Sequence, residues 1–286
     1  MLMKPEQHAT EALVRMALLE DAPWGDLTSE AVVPEDARIK AELVAREEGV
    51  LCGEDVFATA MSLAGEVAVQ FRRRDCEPFS AGDVLASIEG PARAILRAER
   101  VALNLVQRLS GIATVTAKYV GETAGTKARI VDTRKTTPGL RLFERYAVRC
   151  GGGHNHRFSL SDAVLVKDNH LAALRTAGDK HLASGLRAAL ASLPHTTHVE
   201  IEVDRLDQIE DALAAGAHTI MLDNFSIEDL CAGVLQIAGQ ALVEASGGVT
   251  LERVRDIAAT GVDLISVGAL THSVRSLDLG LDIENS

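Results

Sequence analysis

The residues best suited to chemistry in this 286-residue chain are bases concentrated between Arg134 and Arg157. This segment contains a single acid, Glu144, so its local charge is +5, although the chain as a whole carries −12. Fixed cations gathered in one place favour a small ligand with several negative charges. The bases of the segment are Arg134, Lys135, Arg141, Arg145, Arg149 and Arg157.

Further polar residues follow directly after short runs of β-branched and apolar residues, where strands are predicted to end. In a parallel α/β barrel the loops after the strands converge at one end, and the chemistry gathers there. Along the chain, cations come first, carboxylates next and a glycine-rich turn last. The residues at these predicted strand ends are Arg134, Lys135, Lys167, Glu202, Asp223, Ser246, Gly247, Gly248 and Gly268.

The turn at Ser246–Gly248, together with Gly268, predicts a phosphate site. Backbone N–H groups of such a turn suit a phosphate, as does the N-terminus of the helix predicted to begin near Thr250. The alternative is that these glycines are required only by backbone geometry.

Glu202 and Asp223 end neighbouring predicted strands, so their oxygens could share a divalent cation. The alternative for either carboxylate is helix capping or an ion pair with a loop base. Ser226 is a better cap for the helix after Asp223, which leaves Asp223 available.

Lys135 and Lys167 leave two chemistries open. A lysine at a barrel strand end can form a Schiff base when its pKa is lowered. Among several cations that face a polyanionic substrate, the same lysines would instead stay protonated.

The segment Gly151–Arg157 contains three glycines followed by His154 and His156. It matches neither the dinucleotide-binding fingerprint nor the P-loop. Two histidines that alternate on an extended loop point to opposite sides, which disfavours a metal site. Tight folding of the glycines would place His156 and Arg157 in a pocket as donors.

Two other sets of bases have a simpler interpretation. Spacings of four predict a solvated helix face for Arg141, Arg145 and Arg149. Arg100 lies on the polar stripe of a predicted long helix, where a solvated role is the default.

Composition excludes several classes of protein. Aromatic residues make up only 3%, and the net charge of −12 repels phosphate backbones, so we expect no nucleic-acid partner. No run approaches the roughly 18 apolar residues of a membrane span, and the N-terminal residues lack the apolar stretch of a signal peptide. Widely spaced cysteines without a C-x-x-C pair predict buried or idle thiols, no metal cluster and a reducing, cytoplasmic compartment. They are Cys52, Cys76, Cys150 and Cys231.

Two regions of different pattern must position these residues. Up to about Pro91, a helix at 6–19 and short strands at 38–45, 66–72 and 84–88 predict a small α+β domain. A long amphipathic helix is predicted over 92–120, with Ile95, Ala98, Ala102, Leu105 and Leu109 on its apolar stripe. After residue 127, six apolar runs alternate with helical segments, which indicates a parallel sheet covered on both faces. The predicted strands are 129–132, 163–166, 199–203, 219–222, 241–244 and 264–267.

Seven ordered motifs resemble those of the quinolinate phosphoribosyltransferase family, the decarboxylating nicotinate-nucleotide pyrophosphorylases. The likeness extends from the Gly-Asp-Leu-Thr sequence at 25–28 to Leu281. The motifs lie at Asp132–Arg141, Tyr146–Arg157, Leu165–His170, Glu202–Asp204, Leu222–Phe225, Ser246–Gly248 and Val267–Ser273.

The resemblance implies an α/β fold with two domains. Residues 1–110 would form an N-terminal α/β sandwich, to which the C-terminal tail could return, and residues 111–286 an incomplete, open α/β barrel of parallel strands. It also implies a homodimer with a site shared across the interface, and further assembly into a hexamer is left open. The implied reaction converts quinolinate and phosphoribosyl pyrophosphate, with Mg²⁺, into nicotinate mononucleotide, pyrophosphate and carbon dioxide in NAD biosynthesis.

The resemblance also implies roles for individual residues. Lys135, Lys167, Glu202 and Asp223 would be catalytic, the lysines at pyrophosphate and the carboxylates at the ribose hydroxyls and the metal. His154 occupies a position that the family leaves variable and has no implied role. The quinolinate pocket would contain Arg134, His156, Arg157 and Lys167, with Arg100 of the partner subunit, and the 5′-phosphate site would contain Ser246, Gly247, Gly248, Val267, Gly268 and Ala269.

Three other activities stay open at this point. One is a related phosphoribosyltransferase, associated with molybdenum transport, that accepts a different base. The others are a Schiff-base aldolase and a non-catalytic sensor of phosphorylated sugars. The density of cations around the predicted quinolinate pocket favours the main hypothesis.

Overall fold

The computed structural model describes residues 4–176, 186–188 and 190–283, and the chain divides into two compact units. The first unit contains Met1–Ala117, Thr137–Gly152 and Ser273–Ser286, and the second contains Lys118–Thr136 and Gly153–His272. None of the described helices combines the length and apolar character that crossing a bilayer requires.

The described secondary structure consists of short strands and mostly short helices. The helices are α1 Gln7–Asp21, α2 Leu27–Val32, α3 Glu54–Ala64, α4 Ala92–Glu122, α5 Arg141–Cys150, α6 Asp168–Thr176, α7 Ile209–Ala215, α8 Ile227–Ile237, α9 Leu251–Ala259 and α10 Ala269–His272, with a 3₁₀ turn at Leu206–Gln208. The strands are β1 Arg38–Ala45, β2 Gly49–Val50, β3 Ala68–Phe71, β4 Pro78–Phe79, β5 Val84–Pro91, β6 Arg129–Val131, β7 Val164–Val166, β8 Val199–Val203, β9 Thr219–Asp223, β10 Leu242–Ser246, β11 Leu264–Ser266 and β12 Leu279–Ile283.

The first unit is built on a four-stranded antiparallel sheet in the order β12-β1-β5-β3. Strand β12, near the C-terminus, pairs with β1, and Leu43 lies opposite Leu281. Along β1 the side chains from Lys40 onward alternate between exposed or half-buried and buried, as a sheet with one covered face requires. The large side chains buried in this unit include Leu43, Phe57, Met61, Leu85 and Ile88.

Helix α4 confirms the predicted long amphipathic helix. Ile95, Ala98 and Ala102 are fully buried, whereas Arg100 is exposed. The predicted stripe departs from the structure at Leu105, which is half-buried. Neighbouring positions such as Val106 are buried because the covered face of this helix is wider than one narrow stripe.

The second unit contains a parallel six-stranded sheet in the order β6-β11-β10-β9-β8-β7. The six predicted strands are therefore confirmed, with ends that shift by one or two residues. The order describes a barrel that stays open between β6 and β7, since no pairing joins these two strands within the described residues. A single parallel bridge from Val131 to His154 continues the sheet beyond β6. The fold is thus α/β with an incomplete barrel.

The basic segment is divided between the two units. Arg134, Lys135 and Arg157 belong to the second unit, whereas α5 carries Arg141, Arg145 and Arg149 in the first. These three arginines of α5 are half-buried. The single acid of the segment, Glu144, is fully buried and accepts a hydrogen bond of 2.9 Å from Nε of Arg108.

Candidate active site

A pocket of about 540 Å³ in the second unit opens at the carboxyl ends of the parallel strands. Its position agrees with the rule that the loops after barrel strands carry the functional groups. The predicted site residues that line it are Arg134, Lys135, His156, Arg157, Lys167, Glu202, Asp223, Ser246, Gly247 and Gly248. The structure therefore brings together ten of the fourteen residues predicted for the site.

The loop that carries His156 and Arg157 is held by the buried carboxylate of Asp132, directly after β6. Asp132 accepts hydrogen bonds from the side-chain amide of Asn155 at 2.6 Å and from the backbone N–H of His156 at 2.7 Å. The backbone N–H of His154 donates to the carbonyl of Ile130 at 2.8 Å, so the loop runs along the edge of the sheet. These contacts fix the direction in which the two pocket residues project.

Two guanidinium groups, of Arg134 and Arg157, line the pocket close enough to influence one another. Burial lowers the pKa of Arg157 from its usual value, and the charge of Arg134 lowers it further. The carbonyl of Ala163 accepts a hydrogen bond of 3.0 Å from Nη1 of Arg157. Two like charges held together in this way are suited to a ligand with more than one carboxylate, because each can form a charge-assisted pair.

The ammonium group of Lys167 forms an ion pair with Glu202, with 2.7 Å between Nζ and Oε2. A lysine that forms a Schiff base needs a neutral amine, so this ion pair disfavours that chemistry. The same contact shows that Glu202 forms an ion pair with a base, which was one of the two alternatives that the sequence left open.

The carboxylates Glu202 and Asp223 line both the main pocket and a neighbouring depression that contains Asp168 and Asp204. Asp223 accepts a hydrogen bond of 2.6 Å from the side-chain amide of Asn224. As predicted, Ser226 caps the next helix, and its hydroxyl accepts a hydrogen bond of 3.1 Å from the N–H of Asp229. Carboxylate oxygens without a capping role are the donor type that hard divalent cations prefer.

The glycine turn after β10 leads from Ser246 into α9, whose N-cap is Thr250. Gly247 and Gly248 have φ angles of +88° and +56°. A Cβ atom at Gly247 would overlap the side-chain amide of Asn224, so this position combines a left-handed backbone with a close approach. Because Gly247 and Gly248 have no side chains, the turn presents its backbone directly to the pocket.

Four predicted site residues do not line the pocket: Arg100, Val267, Gly268 and Ala269. Arg100 is an exposed residue of α4 in the first unit. Val267 is buried and its N–H donates to the carbonyl of Val131 at 3.0 Å, so it offers a ligand neither a side chain nor a free N–H. Gly268 lies beside Lys135, since a Cβ atom there would be 3.1 Å from Cδ of the lysine.

Sequence reasoning missed a buried group of two carboxylates and an imidazole. Nε2 of His156 is 2.9 Å from Oε2 of Glu200 and 3.7 Å from Oε1 of Glu244. The two glutamate side chains are only 6% and 1% exposed. The sequence signal that could have found them is the alternation of side chains along a strand. Glu200 points to the same face as the predicted site residue Glu202, and Glu244 to the same face as Ser246.

The buried carboxylate of Glu244 is held in an environment that disfavours its charged form. Burial and a second carboxylate nearby both raise the pKa of a carboxyl group. Burial and the charge of Glu200 raise the pKa of Glu244 to about 8, while Glu200 lies 2.9 Å from Nε2 of His156. Burial opposes a charge on His156, but its bond to Glu200 and the nearby carboxylates raise the imidazole pKa. The N–H of Arg157 donates to Nδ1 of His156 at 2.7 Å, so the neutral ring carries its proton on Nε2, toward Glu200.

Pocket-lining residues that the sequence did not indicate also include Thr133, Leu165, Met221, Asn224 and Ser266. Asn224 adopts a left-handed φ of +60°, and its N–H donates to the carbonyl of Ser246 at 2.9 Å. It thereby connects the carboxylate end of β9 to the glycine turn after β10.

Comparison with known proteins places this geometry in a family. The family model described as Quinolinate phosphoribosyl transferase, C-terminal domain, matches residues 112–282, and the corresponding N-terminal domain matches residues 26–110. The nicotinate-nucleotide pyrophosphorylase [carboxylating] of Mycobacterium leprae is 44% identical, over 99% of this chain and 100% of its own length. A probable enzyme of the same name from Bacillus subtilis is 42% identical, over 95% of this chain and 92% of its own length.

Solved structures agree with the sequence relatives. The nicotinate-nucleotide pyrophosphorylase from Francisella tularensis has a TM-score of 0.91 and 39% identity, with 99% of each chain covered. That from Ehrlichia chaffeensis has a TM-score of 0.90 and 37% identity, and covers 99% of this chain and 100% of its own. The chain therefore belongs to the quinolinate phosphoribosyltransferase family.

Proposed function

We propose that the protein transfers the 5-phosphoribosyl group of phosphoribosyl pyrophosphate to quinolinate with decarboxylation, and so forms nicotinate mononucleotide, pyrophosphate and carbon dioxide. The observation that carries the proposal is the composition of a single pocket. Two guanidinium groups, two ammonium groups, two strand-end carboxylates and a glycine turn meet there. Two small polyanions, one aromatic and one a phosphorylated sugar, require this combination of groups.

The guanidinium groups of Arg134 and Arg157 bind the two carboxylates of quinolinate. The bidentate geometry of arginine suits a planar dicarboxylate better than lysine does. His156 is fixed between Glu200 and the N–H of Arg157, so in this proposal it shapes the pocket and keeps Arg157 in place. With quinolinate held in this way, its ring nitrogen can be oriented toward C1 of the ribose, which reduces the entropic cost of the attack.

Lys135 and Lys167 stabilise the negative charge that develops on the departing pyrophosphate. Glu202 and Asp223 bind the ribose hydroxyls and stabilise the positive charge that develops on the sugar ring. Their oxygens, with Asp168 and Asp204 nearby, also fit Mg²⁺. When bound, Mg²⁺ would neutralise charge on the phosphate oxygens.

The chemistry on quinolinate needs no covalent intermediate with the protein. The pyridine nitrogen is itself the nucleophile and carries no proton to be removed. After the new C–N bond forms, the ring nitrogen is positively charged. It can then accept the electron pair released as the adjacent C–C bond breaks and carbon dioxide leaves, and a proton replaces the carboxylate on the ring.

The 5′-phosphate binds at the glycine turn Ser246–Gly248, which leads into the N-terminus of α9. Backbone N–H groups and the positive end of a helix suit this dianion. Gly268, beside Lys135, provides close backbone approach on the neighbouring strand end, and Ala269 follows it at the start of α10.

Completion of the site by a second subunit is part of the proposal. Arg100 is an exposed cation on α4, and Arg100 of the partner subunit would reach the quinolinate pocket of a homodimer. Mixing an Arg100→Ala subunit with a Lys135→Ala subunit should restore part of the activity, because one hybrid site is then intact. Absence of any rescue would contradict the shared site.

A cytoplasmic location is also proposed, since free thiols suit a reducing compartment.

The decisive experiment measures carbon dioxide release from carboxyl-labelled quinolinate in the presence of phosphoribosyl pyrophosphate and Mg²⁺. We expect stoichiometric release with formation of nicotinate mononucleotide, and no product when nicotinate replaces quinolinate. Consumption of nicotinate or another base without release from quinolinate would contradict the proposal. The relatives named above do not favour the paralogue with a different base.

A further inference from the structure

Three of the four cysteines meet in the first unit, although they are far apart in sequence. The sulfur atoms of Cys52 and Cys150 and a carboxylate oxygen of Asp75 lie within 4.8 Å of one another. The thiol of Cys76 interacts with that of Cys150. The cysteine spacing predicted no metal-like cluster, and it carries no signal of this grouping because the residues are brought together only by the tertiary fold.

Cys76 is placed by a β-bulge next to the β2–β4 pair. The N–H of Leu51 donates to the carbonyl of Glu77 at 3.0 Å, while the N–H of Cys76 donates to the carbonyl of Leu51 at 2.8 Å. Two residues of one strand thus face one residue of the other, and the first of them, Cys76, has a φ of +72°. Glycine is the usual residue at this position of such a bulge, so a cysteine there has a conformational cost.

Asp75 is oriented by its neighbours and directed toward the two buried thiols. Its Oδ1 accepts hydrogen bonds from the N–H groups of Gly53 at 2.8 Å and Glu54 at 3.1 Å, at the start of α3. Its Oδ2 accepts a hydrogen bond of 2.8 Å from the hydroxyl of Tyr146, one turn before Cys150 on α5. Bonds of this kind commonly hold the ligands of protein metal sites in place.

We propose that Cys52, Asp75 and Cys150 form a binding site for a thiophilic divalent metal ion of the Zn²⁺ class, with Cys76, the residue after Asp75, as the fourth ligand. Three sulfurs and one oxygen would then supply the four ligands of a tetrahedral site. With metal–sulfur bonds of roughly 2.3 Å, tetrahedral ligands lie about 3.8 Å apart, so the three donors within 4.8 Å need only a small inward shift. The proposal concerns the first unit and does not depend on the proposed transferase activity.

The charge around the cluster suits such an ion. Metal binding requires thiolates, so a bound ion replaces the protons of its sulfur ligands. The ammonium group of Lys4, 4.0 Å from Asp75, balances part of the remaining negative charge. Binding must therefore release protons and weaken in acid.

Cobalt(II) is the probe for the test, because its thiolate charge-transfer absorption reports sulfur ligands directly. The reduced, full-length protein should bind one equivalent of Co²⁺ with this absorption and with the visible bands of a tetrahedral site, and Zn²⁺ should displace it. Co²⁺ bound by the carboxylates Glu202 and Asp223 would give no thiolate absorption, so the two sites are distinguishable.

Two variants provide matched controls. Cys76→Gly removes one ligand and places the preferred residue at the bulge, so it should fold at least as well as the parent. It should lower the affinity for Co²⁺ by about tenfold or more and reduce the charge-transfer absorption. Cys231→Ser removes the exposed cysteine outside the cluster and should change neither.

Two results would overturn the proposal. One is the absence of thiolate absorption from the fully reduced protein at equimolar Co²⁺ above neutral pH. The other is an unchanged affinity in Cys76→Gly. Formation of a disulfide between Cys76 and Cys150 under mild oxidation, in a protein that shows no thiolate absorption with Co²⁺, would identify the cluster as a redox pair instead.

Discussion

Replacement of Glu244 by glutamine should stabilise the protein by an amount that grows with pH. The side chain is 1% exposed and lies beside Glu200, and its pKa is raised from 4.5 to about 8. Between pH 4.5 and about pH 8, Glu244 therefore keeps its proton in the folded wild type but has lost it in the unfolded chain. The stability of the wild type falls by about 1.4 kcal/mol per pH unit across that window, relative to a variant that does not titrate.

Near pH 8 the free energy of unfolding of Glu244→Gln should therefore exceed that of the wild type by about 3–5 kcal/mol more than it does near pH 4.5, where the pH-dependent part of the difference nearly vanishes. Glutamine suits the site because it has nearly the same shape as glutamate and stays uncharged at every pH. Denaturant midpoints of both proteins, measured at several values across the window, give the slope. Asp256→Asn, at an exposed acid of α9, is the control and should leave the slope unchanged.

A stability difference between Glu244→Gln and the wild type that is no larger at the alkaline end of this pH range than at the acid end would show that Glu244 is ionised in the folded protein. The raised pKa of Glu244 would then be refuted. Quinolinate KM at neutral pH should also be unchanged in this variant, because the raised pKa of Glu244 already leaves its side chain mostly uncharged there. A selective loss of kcat would instead indicate that Glu244 donates its proton to a reacting atom.

The remaining predictions concern the pocket and the first unit. Gly247→Ala should abolish most binding of phosphoribosyl pyrophosphate, because it combines a positive φ with an overlap, whereas Gly248→Ala should be milder; calorimetric titration compares them. Arg134→Ala and Arg157→Ala should each raise the KM for quinolinate by about 10–100-fold and affect that for phosphoribosyl pyrophosphate less, and equal loss of both would refute the pocket assignment. Glu144→Gln replaces the charged partner of Arg108 by a neutral one and should lower the free energy of unfolding by about 1–3 kcal/mol; an unchanged denaturation midpoint would contradict this.

Much of the second unit could be predicted from the sequence, because its strands are short apolar runs separated by helices. The run Val199–Val203 coincides with β8, and all six predicted strands occur. A polar residue after such a run must lie at the carboxyl edge of the sheet, so Lys167, Glu202 and Asp223 could be placed in one pocket before any contact was known.

The buried partners were harder to predict because glutamates inside a strand contradict the apolar pattern that identifies strands. Glu200 and Glu244 are on β8 and β10, which are separated by β9, and only the curvature of the sheet brings their side chains to the same imidazole. The residue that holds the loop, Asp132, likewise acts through contacts with residues more than twenty positions away.

The sequence by itself determined the family, the alternation of strands and helices, and the charged groups at the strand ends. These properties depend on local patterns of a few residues and on the order of motifs along the chain. Tertiary structure alone decided that Glu202 pairs with Lys167, that burial beside Glu200 raises the pKa of Glu244, and that the distant residues Cys52 and Cys150 meet Asp75. Protonation and ligand geometry depend on distance and burial, and neither quantity exists until the chain is folded.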